Sequence, residues 1–132
     1  MITMVFCFTF VLLFQTMNDF CFDLVSILFV PRFFFFFSRK TSDLIPLCHP
    51  LPIDQISIHI HLCTNTNTAT IDCKCTVTHK TGVEMEAMVG ASVAALTIYD
   101  MVKAVSHEVK IEQVSLIEKT GGKRLVKDGV LV

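Results

Sequence analysis

Two alternating stretches joined by a short polar turn constrain the fold of this chain more than any other feature. In residues 55–63, isoleucine or leucine occupies every second position, and the residues between them are polar or cysteine. Residues 69–79 alternate in the same way. A period of two places the apolar side chains of a strand on one face. With the polar turn at residues 64–68, the pattern predicts an antiparallel hairpin that buries one face.

A long apolar segment follows the predicted hairpin. It opens near Thr81, and Glu84 and Glu86 lie in its first turns, where the positive end of a helix dipole favours carboxylates. The helix is expected to end within residues 105–108, and residues 109–118 predict a third strand rich in valine and isoleucine. These elements predict an α+β fold, with a long helix packed on one face of a mainly antiparallel sheet.

The composition changes abruptly near residue 38. All twelve phenylalanines lie at or before Phe37, and all five glycines lie at or after Gly82. We therefore divide the chain into a Phe-rich apolar leader, residues 1–38, and an organised domain, residues 39–132. Three strands and one helix make a thin core, so either the leader or oligomerisation must supply missing elements.

The leader does not match a standard targeting or membrane segment. The apolar run at residues 5–14 lacks a preceding basic residue and a small-residue cleavage site. Residues 24–37 fall short of the ~18 apolar residues of a spanning helix. We hypothesise that residues 1–38 are read from non-coding sequence or an alternative first exon, the five phenylalanines of 33–37 being a translated polypyrimidine tract. A membrane or targeting segment and a packed element stay open as alternatives. Transcript sequencing across the Ser38 codon tests this hypothesis.

Charge and cysteine usage narrow the functional class and the compartment. The chain has 11 basic and 12 acidic residues and a net charge of −1, so neither nucleic acid nor an anionic membrane is an expected partner. The six cysteines form no C-x-x-C pair and no signal peptide precedes them, so reduced thiols in a cytoplasmic compartment are expected. A mitochondrial or membrane-associated location applies only if the leader is genuine.

Two clusters of histidine and cysteine could bind a metal ion, but each is more simply interpreted as ordinary strand residues. His59, His61 and Cys63 share the polar face of the first strand, but His-x-His is a weak metal signal. Cys73 and Cys75 lie on the apolar face of the second strand, where a buried free cysteine behaves as a small apolar residue. The sequence therefore predicts no metal site.

Charged residues at the two ends of the helix indicate a site that one helix cannot complete. Glu86 and Asp100 are fourteen positions apart and so fall within ~40° of one another around the helix axis. Along that axis they are about 21 Å apart. Asp100 and Lys103 could form only a surface ion pair. If all these groups serve one site, either the substrate is long or a second subunit contributes.

Three separated blocks resemble a single family. They are residues 39–51, with the motif Leu-Ile-Pro-Leu-Cys-His-Pro-Leu, residues 80–104, with Gly-Val-Glu-Met-Glu and Thr-Ile-Tyr-Asp-Met-Val-Lys, and residues 118–123, with Gly-Gly-Lys. Together they resemble cyclic pyranopterin monophosphate synthase, the MoaC family of molybdenum-cofactor biosynthesis. The resemblance implies a ferredoxin-like subunit, here incomplete at its N-terminus. It also implies a homohexamer built from dimers, with active sites at the dimer interface.

The same resemblance implies an activity and a set of residues. Family members are lyases that convert a 3′,8-cyclised dihydro-GTP into cyclic pyranopterin monophosphate and diphosphate. No cofactor is required, although Mg²⁺ could accompany the triphosphate. Asp100 and Lys103 would be catalytic. Six further residues would bind substrate: Cys48, His49, Glu84, Met85, Glu86 and Lys123.

The chain departs from the family pattern upstream. The family carries a second catalytic lysine before the Leu-Ile-Pro block, whereas no lysine precedes Lys40 here. After Lys123, the usual Ser-Gly is replaced by Arg124 and Leu125. We therefore expect a truncated or mis-started synthase with impaired turnover. The alternative is a non-catalytic binding subunit that pairs with full-length homologues, tethered by the leader.

Overall fold

A computed structural model describes residues 2–11, 38–104, 106–121 and 125–131 of the chain. Within these ranges the elements follow one another in the order β1 (Ile2–Val11), α1 (Thr41–Leu44), β2 (Gln55–Cys63), β3 (Thr68–Val77), α2 (Glu84–Val102), β4 (Ser115–Thr120), β5 (Val126–Lys127) and β6 (Val130–Leu131).

The strands form one antiparallel sheet in the order β2-β3-β1-β4-β5-β6. Strand β1 lies between β3 and β4, and its backbone pairs with β3 from Ile2 to Val11. Helix α2 connects β3 to β4, as in the second βαβ half of a ferredoxin-like βαββαβ unit, and the order β2-β3-β1-β4 of the four longer strands is that of the complete unit. The predicted α+β, ferredoxin-like fold is confirmed.

The predicted hairpin forms and buries the expected face, but its second strand, β3, spans Thr68–Val77 instead of the predicted residues 69–79. Strand β2 spans Gln55–Cys63 and pairs with β3 from Gln55↔Thr76 to Cys63↔Thr68. Burial alternates along β3. Its five inward residues are fully buried: Ala69, Ile71, Cys73, Cys75 and Val77. The turn between the strands includes Asn67 with φ of +50°, a left-handed conformation that asparagine tolerates better than most residues.

Helix α2 packs on the face that these side chains form. Its buried stripe consists mostly of small residues, among them Ala87, Ala91, Ala94 and Ala95, which let the helix backbone approach β3 closely. By length and composition α2 would suffice to cross a membrane, but half of it is buried inside the fold, which accounts for its apolar character as a core helix.

The predicted boundaries of α2 and β4 are wrong. Helix α2 begins at Glu84 and not near Thr81. Helix α2 ends at Val102, before the expected residues 105–108. Strand β4 begins at Ser115, six residues later than predicted, because the ladder with β1 begins at the pair Ser115↔Cys7. Residues 110–114 before that ladder are exposed, so their Val and Ile content did not reflect a strand.

The leader is only partly described. Residues 2–11 form the central strand of the sheet. Residues 12–37, including the five consecutive phenylalanines, lie outside the described residues. The division into a leader and a domain at residue 38 stays a prediction.

A candidate substrate pocket at the start of helix α2

A pocket of about 580 Å³ lies where the chain around the Cys-His-Pro motif passes the first turn of α2. Three segments form its wall: residues 47–52 after α1, residues 79–82 after β3, and the first turn of the helix. Its lining includes two histidines, one thiol and two carboxylates. The pocket therefore combines acid–base groups with an apolar wall of leucine, proline and methionine.

The 47–52 segment is held by contacts on both sides. Upstream, the Thr41 hydroxyl donates a buried hydrogen bond of 2.8 Å to the carbonyl of Ser38, and the Cys48 N–H donates to the carbonyl of Ile45 at 3.2 Å. Downstream, Ile53 is only 5% exposed and accepts a hydrogen bond from Arg39 on its carbonyl. These contacts fix where the motif enters and leaves the pocket wall.

Leu47, at the start of this segment, has an unfavourable backbone conformation. Its φ is +65°, a left-handed value that costs a side chain with a β-carbon of order 1 kcal/mol or more. Its side chain is 95% exposed, so burial in this chain does not compensate. Cys48 and His49 directly follow this turn and line the pocket. Residues with strained backbone conformations tend to cluster at binding sites.

His79 and Thr81 form the second wall and were missed by sequence reasoning. The Thr81 N–H donates a hydrogen bond of 3.2 Å to Nδ1 of His79, which orients the imidazole at the rim. Val83, fully buried, anchors the end of this loop. Proximity in sequence to the Gly-Val-Glu-Met-Glu motif was the available signal for both residues.

Glu84 and Glu86 occupy the same pocket in different environments. The side chain of Glu84 is 33% exposed, whereas Glu86 is 4% exposed. Burial raises the pKa of the Glu86 carboxyl, its own backbone N–H opposes this, and the charge of Glu84 raises it further. The position of both at the N-terminus of α2 partly offsets the cost of placing two acids together. Glu86 thus holds its proton to a higher pH than an ordinary glutamate.

Lys119 also reaches this region, from strand β4. Its Nζ forms a salt bridge with Oε1 of Glu84, and its side chain is 22% exposed. The two residues are 35 positions apart, so only the fold brings them together. Sequence reasoning gave Lys119 no role.

The structure brings together five of the six residues predicted to bind substrate: Cys48, His49, Glu84, Met85 and Glu86. The sixth, Lys123, lies outside the described residues.

The two residues predicted to be catalytic are not in this pocket. Asp100 and Lys103 form an ion pair of 2.6 Å at the far end of α2, and this pair raises the pKa of Lys103. Their side chains are 71% and 51% exposed. Because α2 is one continuous helix, Glu86 and Asp100 are about 21 Å apart along it. Within one chain, these groups therefore do not converge.

The histidines and cysteines of the hairpin make other contacts or are buried. Nε2 of His61 lies 3.3 Å from a carboxylate oxygen of Asp72 on β3. Cys73 and Cys75 are buried free thiols. Among the described residues, no group of three or more His, Cys, Asp or Glu is arranged to hold a metal ion.

Comparison with known families matches residues 35–122 to the MoaC family. This match covers two thirds of the chain. The chain belongs to the MoaC family. The matched segment includes all three segments of the pocket wall, the rest of α2 and Lys119, whereas Lys123 falls one residue beyond it. MoaC proteins act in molybdenum-cofactor biosynthesis, and the pocket is the part of this chain in which MoaC motif residues converge.

Proposed function

We propose that this chain binds a 3′,8-cyclised dihydro-GTP in the pocket at the start of α2, as a cyclic pyranopterin monophosphate synthase does. The observation that carries the proposal is the convergence of Cys48, His49 and the Gly-Val-Glu-Met-Glu carboxylates around one cavity. A volume of about 580 Å³ lies within the range typical of small-molecule sites.

The groups in the pocket suit proton transfer on a heterocyclic ring. Formation of the pterin requires protons to leave some ring and sugar atoms and to be added to others, and such steps need groups that can both donate and accept. Glu86, with its raised pKa, is one such group, and His49 is a second. Glu86 itself is buried at 4% exposure, and burial strengthens its electrostatic interactions.

The phosphate end of the substrate needs cations, but no lysine or arginine is among the described residues that line the pocket, and Lys119 beside it is paired with Glu84. We propose that Asp100 and Lys103 of a second copy approach the pocket, so that the site is completed at a dimer interface and the dimers assemble into a hexamer. The exposure of this pair and its separation of about 21 Å from Glu86 support that arrangement. Lys123 would then meet the phosphate oxygens, and any Mg²⁺ would enter with the triphosphate. The free thiols favour a reducing, cytoplasmic location.

The alternative function is a non-catalytic subunit that binds the nucleotide or pairs with complete homologues. The observation that favours it is the absence of any lysine before Lys40, since the resemblance places a catalytic lysine upstream. Ligand binding and turnover therefore need separate tests.

Replacing His49 with alanine should weaken binding of the cyclised nucleotide by roughly tenfold or more. Loss of a hydrogen bond to a charged group costs about 1.5–3 kcal/mol, and about 1.4 kcal/mol corresponds to tenfold in affinity. Isothermal titration calorimetry measures the change. His59→Ala, on the exposed face of β2, is the matched control and should bind as the unmodified chain does. Equal affinity in the chain and His49→Ala would contradict the proposed site.

Turnover by this chain alone should be low or absent, even when it binds the nucleotide. The pocket supplies acid–base groups, but nothing in the sequence stands in for the upstream lysine. Chromatographic detection of the pyranopterin product after incubation with the cyclised nucleotide measures this. Multiple turnovers would refute the impairment, whereas binding without product, together with co-purification with a complete homologue, would favour the binding subunit.

A further inference from the structure

His79 lies in the connection between β3 and α2, outside the three blocks by which the chain resembles the MoaC family. The connection comprises residues 78–83, and His79 is exposed within it. His79 nevertheless lines the pocket, together with Thr81 and Gly82 of the same loop. The proposed function gives this histidine no task.

A hydrogen bond within the loop determines which nitrogen of the His79 ring can meet a ligand. Nδ1 accepts the N–H of Thr81 at 3.2 Å, and a ring nitrogen that accepts carries no proton. In the neutral imidazole the proton is therefore on Nε2, which makes Nε2 a donor. Among the described residues, no other hydrogen bond or ion pair involves His79. A pocket-lining donor is thus left for a ligand.

The charges and burial of the lining residues limit where a phosphate group can lie. Glu84 and Glu86 bring carboxyls to the pocket, and among the described lining residues only His49 and His79 can carry a positive charge. Glu86 is 4% exposed, whereas both histidines are exposed. Because burying a charged phosphate beside a carboxyl is costly, the heterocycle suits the buried side and the phosphates suit the exposed rim.

We propose that His79 binds the nucleotide by donating a hydrogen bond from Nε2 to a phosphate oxygen, so that the pocket favours the phosphorylated ligand over its nucleoside. A hydrogen bond to an ionised phosphate is stronger than one between neutral groups. For the identity of the ligand this proposal rests on the proposed function. Whatever a second copy contributes to the phosphate end, the contact with His79 needs only one chain.

Asparagine at position 79 separates this binding role from a role in holding the loop. An asparagine side chain readily bonds to the backbone two residues further on, which is the contact that His79 makes with Thr81. Asparagine has no atom at the position of the imidazole Nε2. His79→Asn therefore keeps the loop contact and removes the donor, whereas His79→Ala removes both.

The test is calorimetric titration with the cyclised dihydro-GTP and with the nucleoside that phosphatase treatment releases from it. His79→Ala and His79→Asn should each bind the triphosphate form about tenfold more weakly than the unmodified chain does. Neither substitution should change the affinity for the nucleoside. His59→Ala, at an exposed position of β2, is the matched control and should bind both ligands as the unmodified chain does.

Two results would overturn the phosphate contact while the proposed function stands. Unchanged affinity of His79→Asn for the triphosphate form would mean that His79 only holds the loop. Equal weakening for the nucleoside and the triphosphate form would mean that His79 contacts the ring system and not the phosphates.

Nitrogen NMR of the ¹⁵N-labelled imidazoles tests the contact without the nucleotide. At mildly alkaline pH, His79 should carry its proton on Nε2, and inorganic triphosphate should shift that resonance but not the resonances of His59. A proton on Nδ1, or no shift with inorganic triphosphate, would also overturn the proposal. If the chain binds neither form of the nucleotide but this shift is seen, the proposed function fails and the phosphate contact of His79 stands.

Discussion

Gly90→Ala is expected to lower the free energy of unfolding by about 2 kcal/mol, the scale of an overpacked core. At an unconstrained helix position the same change would raise it by up to about 1 kcal/mol. Here an added Cβ would lie 2.3 Å from the Ser38 hydroxyl and 3.1 Å from Sγ of Cys73. Both neighbours are fully buried, so neither has open space in which to move. Urea unfolding followed by circular dichroism measures the change.

Ser38 provides the matched control for this prediction. Its hydroxyl is buried and has no hydrogen-bond partner among the described residues, an arrangement that costs about 1–3 kcal/mol. Ser38→Ala alone should therefore leave stability unchanged or raise it. Combined with Gly90→Ala, it removes the nearest atom and should recover much of the loss. A double variant as unstable as Gly90→Ala would show that the contact with Ser38 is not the cause.

The hairpin and the long helix could be predicted from sequence because each is defined by local periodicity. Residues 55–63 alternate without interruption, and the observed strand has those limits. The β4 boundary was wrong because Val109 and Ile111 resemble strand residues, whereas the pairing partner that decides the boundary lies in β1. Local pattern does not show which backbone a segment will pair with.

The central strand was the main omission. Residues 2–11 are almost continuously apolar, and such a run is compatible with a targeting segment, a helix or a strand buried on both faces. Only long-range pairing, with Ile2 opposite Val77 and Val11 opposite Thr68, distinguishes the strand. Because this information is non-local, periodicity could not have supplied it.

Only part of the pocket could be predicted, because motifs mark its segments but do not show which distant residues contact them. The Cys-His-Pro and Glu-Met-Glu motifs were recognised as site segments, and the fold brings them together. Lys119 lies in the 118–123 block, but its contact with Glu84 across 35 residues could not be recognised from the sequence. The distance between the two ends of α2 was predictable from helix geometry alone, and the continuous helix retains it.

Glu86→Gln should stabilise the chain increasingly as pH rises. In the folded chain, burial raises the pKa of Glu86 above that of the unfolded chain, about 4.3 for an ordinary glutamate. Well below pH 4 both states hold the proton, so the folded chain has its full stability there. As pH rises through the folded pKa, ionisation of a buried carboxyl lowers the free energy of unfolding by about 1.4 kcal/mol per unit of pKa difference. Glutamine has no proton to lose, so the variant avoids this loss.

Urea unfolding of the chain and of Glu86→Gln, between pH 4 and pH 8, measures this effect. The gap between them should widen with pH, and His49 and His79, present in both proteins, should contribute equally to each curve. Glu112→Gln, at an exposed position, should follow the unmodified chain throughout. A gap that stays constant or narrows with pH would show that Glu86 is not a buried acid in solution. A widening gap would mean that the chain retains a buried acid in the pocket at a cost in stability.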